Sequence, residues 1–348
     1  MVGTKVSRHF GTKPNIKRHF YALCKNVYQE EKMSIISRIM RAAVLSIAVV
    51  ALMTAGFAFA SIDDTINKSF TVEQGGTLNV DTDTGSIEVR GTSGRTVDIE
   101  VLRKVRTTNQ RKAQEILDNF QIDFEKRGKD VYITGERKRK DSLWDSLWNR
   151  LNIKYIIHVP EIYNVELRTS GGSISVEVIE GEVNVRTSGG SLTMDDIAGP
   201  VWGKTSGGSI RVGSVDGDVD VDTSGGSIKI IRALGTVKAR TSGGGITVEE
   251  VMGTINAHTS GGSVNAHISQ QPESDCRLTT SGGSINVYLE RSISVDLEAS
   301  TSGGSVYTDF PVTIRGKINP RKLNAKINGG GPLLYLHTSG GSIHIKEY

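Results

Sequence analysis

Cysteine is nearly missing from this chain. Of 348 residues only Cys24 and Cys276 are cysteine, so no multi-disulfide framework is available and packing must supply the stability. Histidine is sparse as well. Beyond residue 60 it stands only at 158, 258, 267, 337 and 344, with no His-Glu-x-x-His pair and no Cys-His cluster, a pattern that gives zinc no site. The glycine pairs are followed by no Walker lysine and open no helical pattern, which removes a phosphate-loop reading. No cofactor is expected. Basic residues exceed acidic ones only slightly, 42 to 38, and the excess is local. Residues 1–32 carry seven Lys/Arg and two Glu, residues 33–60 add Arg38 and Arg41, and the rest of this +4 chain sums to −3. A nucleic-acid partner is therefore not expected.

A single long apolar run occurs, at 42–60. A short basic stretch from Met33 to Arg41 precedes it, and Ala58-Phe59-Ala60 has the small-x-small form cut before Ser61. Residues 33–60 read as a signal peptide, with a retained N-terminal membrane anchor as the alternative. Residues 1–32 read as an over-long start or an extension outside the fold. Cleavage leaves Cys276 as the remaining thiol, which permits no intrachain disulfide. The expected address is exported: periplasm, cell surface or extracellular.

What the chain has in plenty is glycine, 40 residues, clustered in pairs rather than at every third position, which excludes collagen. Aliphatic residues recur throughout, which argues against disorder. The string Thr-Ser-Gly-Gly appears with its Thr at 169, 187, 205, 223, 241, 259, 280, 301 and 338; the first five intervals are 18 residues, the next two 21 and the last 37. Thr84-Gly85-Ser86-Ile87 is an earlier, degenerate copy, and Asn328-Gly329-Gly330-Gly331 another beside an insertion. Columns of equivalent residues follow. Ile174, Leu192, Ile210, Ile228, Ile246 and Val264 form one, Val183, Val201, Val219, Val237 and Ile255 another, and the alternation with polar positions means strands with one buried face. Some five buried aliphatics at ~2 kcal/mol each do not offset ~1.5 kcal/mol of entropy for each of 18 ordered residues. A coil is therefore stable only between neighbours, as in a solenoid.

The expected fold is all-β: a parallel β-solenoid, β-helix or β-roll-like, with 18-residue coils and TSGG turns, plus a small mixed α/β capping insertion. Residues 61–91 form the first strands and a degenerate coil, 92–168 the capping insertion with one or two short helices, and 169–348 the repeat solenoid. Gly171, Gly172, Gly189, Gly190, Gly207, Gly208, Gly225 and Gly226 are the structural turn residues, expected to supply positive φ and a corner too tight for Cβ atoms. Each repeat Thr lies inward with its valines, and Thr and Ser hydroxyls are expected to bond one another and the turn amides. Cys276 falls in the buried column of Val183 and Val201 and reads as a small core residue. Within the insertion, Asn109–Phe120 reads as a helix. Glu136–Leu151 reads as a second, with Leu143, Trp144, Leu147, Trp148 and Leu151 on one stripe beside the basic run 137–140. Trp144 and Trp148 then either pack over the cap or contact a membrane surface or partner peripherally.

The TSGGSI and TSGGSL turns, the Gly-x-Val-x-Val strands, the exported start and the Phe70–Val89 opening together resemble the bacterial putative-adhesin family of β-strand repeat proteins, number 4097 among the domains of unknown function. The resemblance covers about residues 65–348. It implies a β-solenoid at or outside the bacterial envelope and supplies no catalytic residues.

Candidate chemistry lies on the outer faces. Asp216, Asp218, Asp220 and Asp222 alternate along one strand with all four carboxylates pointing outward together, but Lys204, Lys238 and Arg240 stack beside them, so a charge ladder explains them better than calcium. Arg168, Arg186, Lys204 and Arg240 form a mostly basic outward stripe with Asp222 and His258. Trp202 sits next to it between Asn184 and Asp220 as a platform for a sugar, the stripe itself suits an anionic polymer, and an ordinary solvated face with one large residue covering it is the alternative. The leading expectation is an exported, non-enzymatic, adhesin-like binding or structural protein whose partners are glycan or other envelope proteins. A polysaccharide-cleaving β-helix enzyme using Asp220, and a structural module assembling end to end through its C-terminal coil, are the alternatives. The sequence leaves the oligomeric state open.

Overall fold

Equivalent positions eighteen residues apart lie directly over one another. Leu192 pairs with Ile174 on one side and Ile210 on the other, and Ile210 pairs in turn with Ile228. The computed structural model describes residues 61–138, 149–314 and 319–348, with backbone alone at 313 and 314. The leader, 1–60, lies outside the described residues.

Two long sheets carry the coils. One stacks Ile174–Glu180, Leu192–Ala198, Ile210–Val215, Ile228–Ala233, Ile246–Val251, Val264–Ile268 and Ile285–Leu289, all parallel. The second stacks Asn164–Thr169, Val183–Thr187, Val201–Thr205, Val219–Thr223, Val237–Thr241, Ile255–Thr259 and Cys276–Thr280 in the same way. Each coil gives one strand to each sheet, and the apolar positions of both meet in a continuous aliphatic core. Cys276 is buried in that core, and burial pushes its thiol pKa up, leaving an unreactive thiol.

The turns work differently from the sequence expectation in one respect. None of the eight turn glycines, from Gly171 and Gly172 to Gly225 and Gly226, adopts positive φ. What demands glycine is the coil below. A Cβ on Gly190, Gly208 or Gly226 would lie 2.1 Å from the carbonyl oxygen of Gly172, Gly190 or Gly208, whereas one on Gly189, Gly207 or Gly225 keeps 3.3 Å or more. In these coils the second glycine of each pair is thus imposed by stacking distance and the first is not, while at Gly261, Gly282, Gly303 and Gly340 a Cβ on the first glycine would also come within 2.6–2.9 Å of a backbone oxygen. The repeat Thr hydroxyls bond backbone rather than each other. Thr205 donates to the Gly190 carbonyl at 2.7 Å and accepts from the Gly208 amide at 3.4 Å, and the same pair of bonds recurs at Thr187, Thr223, Thr241 and Thr259. The serine after the glycine pair accepts from the adjoining coil at Ser173, Ser191, Ser209, Ser263, Ser284 and Ser342, as Ser209 does from the Ser227 amide at 3.2 Å.

Chain order and stacking order part at both ends. The coil Thr77–Thr82 with Ser86–Thr92 lies directly on the coil of Asn164–Thr169 and Ile174–Glu180, with Thr82 opposite Thr169. The next strands in sequence, from Thr96–Val105 to Leu151–Pro160, add themselves on its far side. Asp130–Arg137 and Leu151–Pro160 pair there in parallel, making a further coil. Beyond it run antiparallel strands, Thr96–Val105 and then Ile62–Thr71 in the first sheet and Phe120–Arg127 in the second. The helix is Gln110–Asp118, opened by Asn109, whose side chain accepts from the Lys112 amide; Ala113, Ile116 and Leu117 are buried. The second expected helix is corrected at its ends. Glu136 and Arg137 belong to Asp130–Arg137, and Leu151 opens Leu151–Pro160. Trp144 and Trp148 lie outside the described residues.

At the other end the last coil in sequence, Leu333–Thr338 with Ile343–Glu347, inserts between Cys276–Thr280/Ile285–Leu289 and Val295–Thr301/Val306–Thr308. Lys322–Ile327 and Thr313–Ile314 then cover the second sheet in antiparallel fashion. The C-terminal coil is therefore interior to the stack, which corrects its reading as an exposed end.

Candidate functional site

Because strand side chains alternate, every coil leaves one set of residues facing outward, and stacking turns each set into a row. On the second sheet the expected row exists. Arg168, Arg186, Lys204, Asp222, Arg240 and His258 follow one another in register. In the neighbouring row Trp202 lies between Asn184 and Asp220 and is 41% exposed. Its charge is another matter. Arg168 pairs with Glu166 at 2.6 Å, Lys204 with Asp222 at 3.6 Å and Arg240 with Asp220 at 3.5 Å, so three of the four cations are compensated locally and only Arg186 keeps no ion pair among the described residues. These are exposed pairs of small energy, but they flatten the field an anionic polymer would follow.

The aspartate run also divides. Asp220 and Asp222 share the strand Val219–Thr223, while Asp216 and Asp218 lie in the preceding turn, where Asp218 accepts from the Thr236 amide at 2.7 Å. The four carboxylates therefore do not form one row along a single strand. No group of three or more His, Cys, Asp or Glu among the described residues could hold a metal ion.

A second outward face went unnoticed in the sequence. Four adjoining strands of the first sheet, Val264–Ile268, Ile285–Leu289, Ile343–Glu347 and Val306–Thr308, bring Asn265, Asn286, His344 and Tyr307 into one row and His267, Tyr288 and Lys346 into the next. Tyr307 and His344 stack with ring centroids 4.9 Å apart and planes 12° from parallel. His267 meets Tyr288 at 4.3 Å and the edge of Tyr348 at 5.3 Å, and the Lys346 ammonium lies 5.5 Å from the Tyr288 ring centre. Asn286 donates from Nδ2 to Asn265 Oδ1 at 2.7 Å. Burial lowers the His267 pKa, against a smaller opposite pull from Glu249, so the imidazole is neutral at pH 7. Tyr307 and Tyr348 are 54% and 68% exposed in a chain where aromatics are 6% of residues, so the cluster is a concentration and not a background level. A signal for it was present: ring residues at outward parity recur after residue 258. The insertion of the last coil hid the row, because Tyr307 and His344 are 37 residues apart.

Two shallow depressions, about 360 and 340 Å³, share Ile156 and His158 on the first sheet near its other end. Three of their acids are engaged, Glu177 with Arg90 at 3.5 Å among them, while Glu100 has no ion pair among the described residues. Asp98 accepts from Ser69 at 2.5 Å and Thr96 at 2.7 Å, and Glu88 pairs with Lys154 at 2.7 Å.

Solved structures with similar chains include a putative adhesin from Bacteroides fragilis, 13% identical over 82% of this chain and 97% of its own, with TM-score 0.40. A putative lipid binding protein from Parabacteroides distasonis is 12% identical, with the same shares and TM-score 0.41. A putative adhesin from the same organism is 10% identical, again with the same shares, at TM-score 0.35. Among curated proteins none matches the sequence. The family model described as Toastrack DUF4097 matches residues 76–346, from the first coil through the inserted last one, and this chain belongs to that family.

Proposed function

We propose that this chain is an exported, non-enzymatic, adhesin-like protein of the bacterial cell envelope that binds glycan through the outer faces of its stacked sheets. The observation that carries this reading is the cluster of Tyr288, Tyr307, Tyr348, His267 and His344 on four adjoining strands, beside the amides of Asn265 and Asn286. Flat ring faces suit the C–H face of a pyranose, and side-chain amides suit its hydroxyls. A neutral His267 leaves Lys346 as the charged member of its row, which favours neutral or weakly acidic sugars. Supporting the non-enzymatic part, Asp220, Asp222, Asp98 and Glu88 are each tied into ion pairs or hydroxyl hydrogen bonds. The basic stretch, apolar run and small-x-small site before Ser61 support export.

Glycan-array binding tests the reading. A Tyr288→Ala/Tyr307→Ala double variant is expected to lose binding while Trp202→Ala/Arg186→Ala retains it. Loss in the second variant alone moves the site to the Trp202 row, and no binding by the parent chain removes the glycan reading. Mass spectrometry of the N-terminus tests export, with Ser61 as the expected first residue. Turnover of an acidic polysaccharide that vanishes on Asp220→Asn would replace this proposal with the enzymatic one.

A further inference from the structure

The two sheets end unevenly beside the first coil. Outside Ser86–Thr92 the first sheet carries three more strands, and outside Thr77–Thr82 the second carries two. Ile62–Thr71 is thus the outermost strand, paired along one side to Thr96–Val105 and unpaired along the other among the described residues. Ten residues of open edge are a template for another strand. The far end of the same sheet is blunted instead. Its edge strand is Val306–Thr308, three residues long, and Asp309-Phe310-Pro311 follows.

The open edge has an unusual internal order. Alternation puts Ile62, Asp64, Ile66, Lys68 and Phe70 on the inner side, opposite Val105, Arg103, Val101, Ile99 and Val97. The partner valines are buried, yet Ile62, Ile66 and Phe70 are covered only in part. Reversed about Ile66, the series reads the same in kind: apolar, charged, apolar, charged, apolar, with the two charges opposite in sign. A second copy laid antiparallel with Ile66 on a two-fold axis sets Ile62 against Phe70 and Asp64 against Lys68, each twice. On the outer side it sets Asp63 against Ser69 and Thr65 against Asn67. A slip of two residues in either direction puts Lys68 or Asp64 against Ile66, and a slip of one turns inner residues opposite outer ones. In the single chain Lys68 has no ion pair among the described residues, while Asp64 already holds Arg103. Charges on the inner side of an edge strand repel strands of other sequence; here the identical strand, in one register, satisfies them.

We propose that Ile62–Thr71 is the interface of a two-fold symmetric dimer in which a second copy of this chain extends the first sheet across the axis. The interface is isologous, so it closes at two copies and builds no filament. It is independent of the ligand proposed above.

Cysteine cross-linking tests it. In the full chain carrying Cys24→Ser, the remaining Cys276 is buried. Ile66→Cys places two thiols on the axis, where Cα atoms of facing antiparallel residues are ~4.5–5.5 Å apart, within disulfide reach. Mild oxidation is expected to give a covalent dimer on a non-reducing gel. Ser69→Cys, whose two copies stand on opposite sides of the axis, is expected to give none. Lys68→Asp creates two like-charge contacts and is expected to halve the mass seen by light scattering with an unchanged circular dichroism spectrum. A parent chain that stays monomeric at every concentration overturns the proposal. So does a dimer indifferent to Lys68→Asp, or cross-linking of Ser69→Cys as fast as Ile66→Cys.

Discussion

Thr338 donates its hydroxyl to the carbonyl of Gly283 at 2.7 Å, across 55 residues of sequence, and Thr301 donates to Gly341 at 2.7 Å in turn. The same bond that joins consecutive repeats elsewhere here joins the last repeat to the one two before it. The coil ending the chain is therefore held on both sides. In a nearest-neighbour stack an interior unit has two stabilising interfaces and a terminal unit has one, so opening free energy follows place in the stack and not place in the sequence. Hydrogen exchange is expected to show Leu334–Thr338 and Ile343–Ile345 as slow as the middle coils, and Val306–Thr308 fast. Exchange that quickens steadily toward Tyr348 would contradict the insertion.

The glycine pairs separate two roles. Gly208→Ala forces a Cβ to 2.1 Å from the Gly190 carbonyl oxygen, backbone that cannot move without parting the coils. Overpacking of this kind costs about 3 kcal/mol or more. Gly207→Ala meets its neighbour at 3.4 Å with φ outside the left-handed region, and is expected to stay within about 0.5 kcal/mol of the parent. Urea denaturation of the two variants, side by side, measures the contrast. Equal costs would mean that turn flexibility, not stacking distance, selects glycine.

Thr205→Val keeps shape and removes one hydroxyl. It leaves the Gly190 carbonyl and the Gly208 amide without that partner inside the wall of the core, where Thr205 is 1% exposed. An unsatisfied buried group costs ~1–3 kcal/mol. The denaturation midpoint should fall accordingly, while Ser206→Ala, at an exposed position, should leave it unchanged.

Most of the coil was legible because each property has its own period in the sequence: the aliphatic columns at 18, the alternation at two, the Thr-Ser-Gly-Gly turn once per coil. Ile210 over Leu192 and the burial of Cys276 follow from counting residues. Counting fails where the chain skips a place and returns, since nothing local marks that Thr338 belongs between Thr280 and Thr301 or that Asp130–Arg137 and Leu151–Pro160 build a coil outside Thr77–Thr92. Turn residues mislead for a related reason. Glycine is usually read as a φ signal, and here it answers to a carbonyl one coil away. The candidate site shared that fate. Trp202 stood within regular repeats and was found, whereas the ring cluster depends on Tyr307 meeting His344 across the insertion.

The ring cluster also makes a pH prediction. His267 is packed against Tyr288 and Tyr348, and the loss of water around it lowers its pKa below the ordinary imidazole value. In the unfolded chain the imidazole titrates at its ordinary value, about 6.5. As pH falls below that value the unfolded state takes up a proton that the folded site still refuses, so this residue withdraws stability until the folded site itself titrates. The quantity to measure is a difference between two chains, so that contributions other than that of His267 cancel. His267→Gln cannot titrate, and the drop in unfolding free energy between pH 7 and pH 5 is expected to be smaller in the variant than in the parent. At pH 7, where the folded imidazole is already neutral, the variant gains nothing from this effect. An identical pH dependence in both chains would show that the rings leave His267 as well hydrated as it is in the unfolded state.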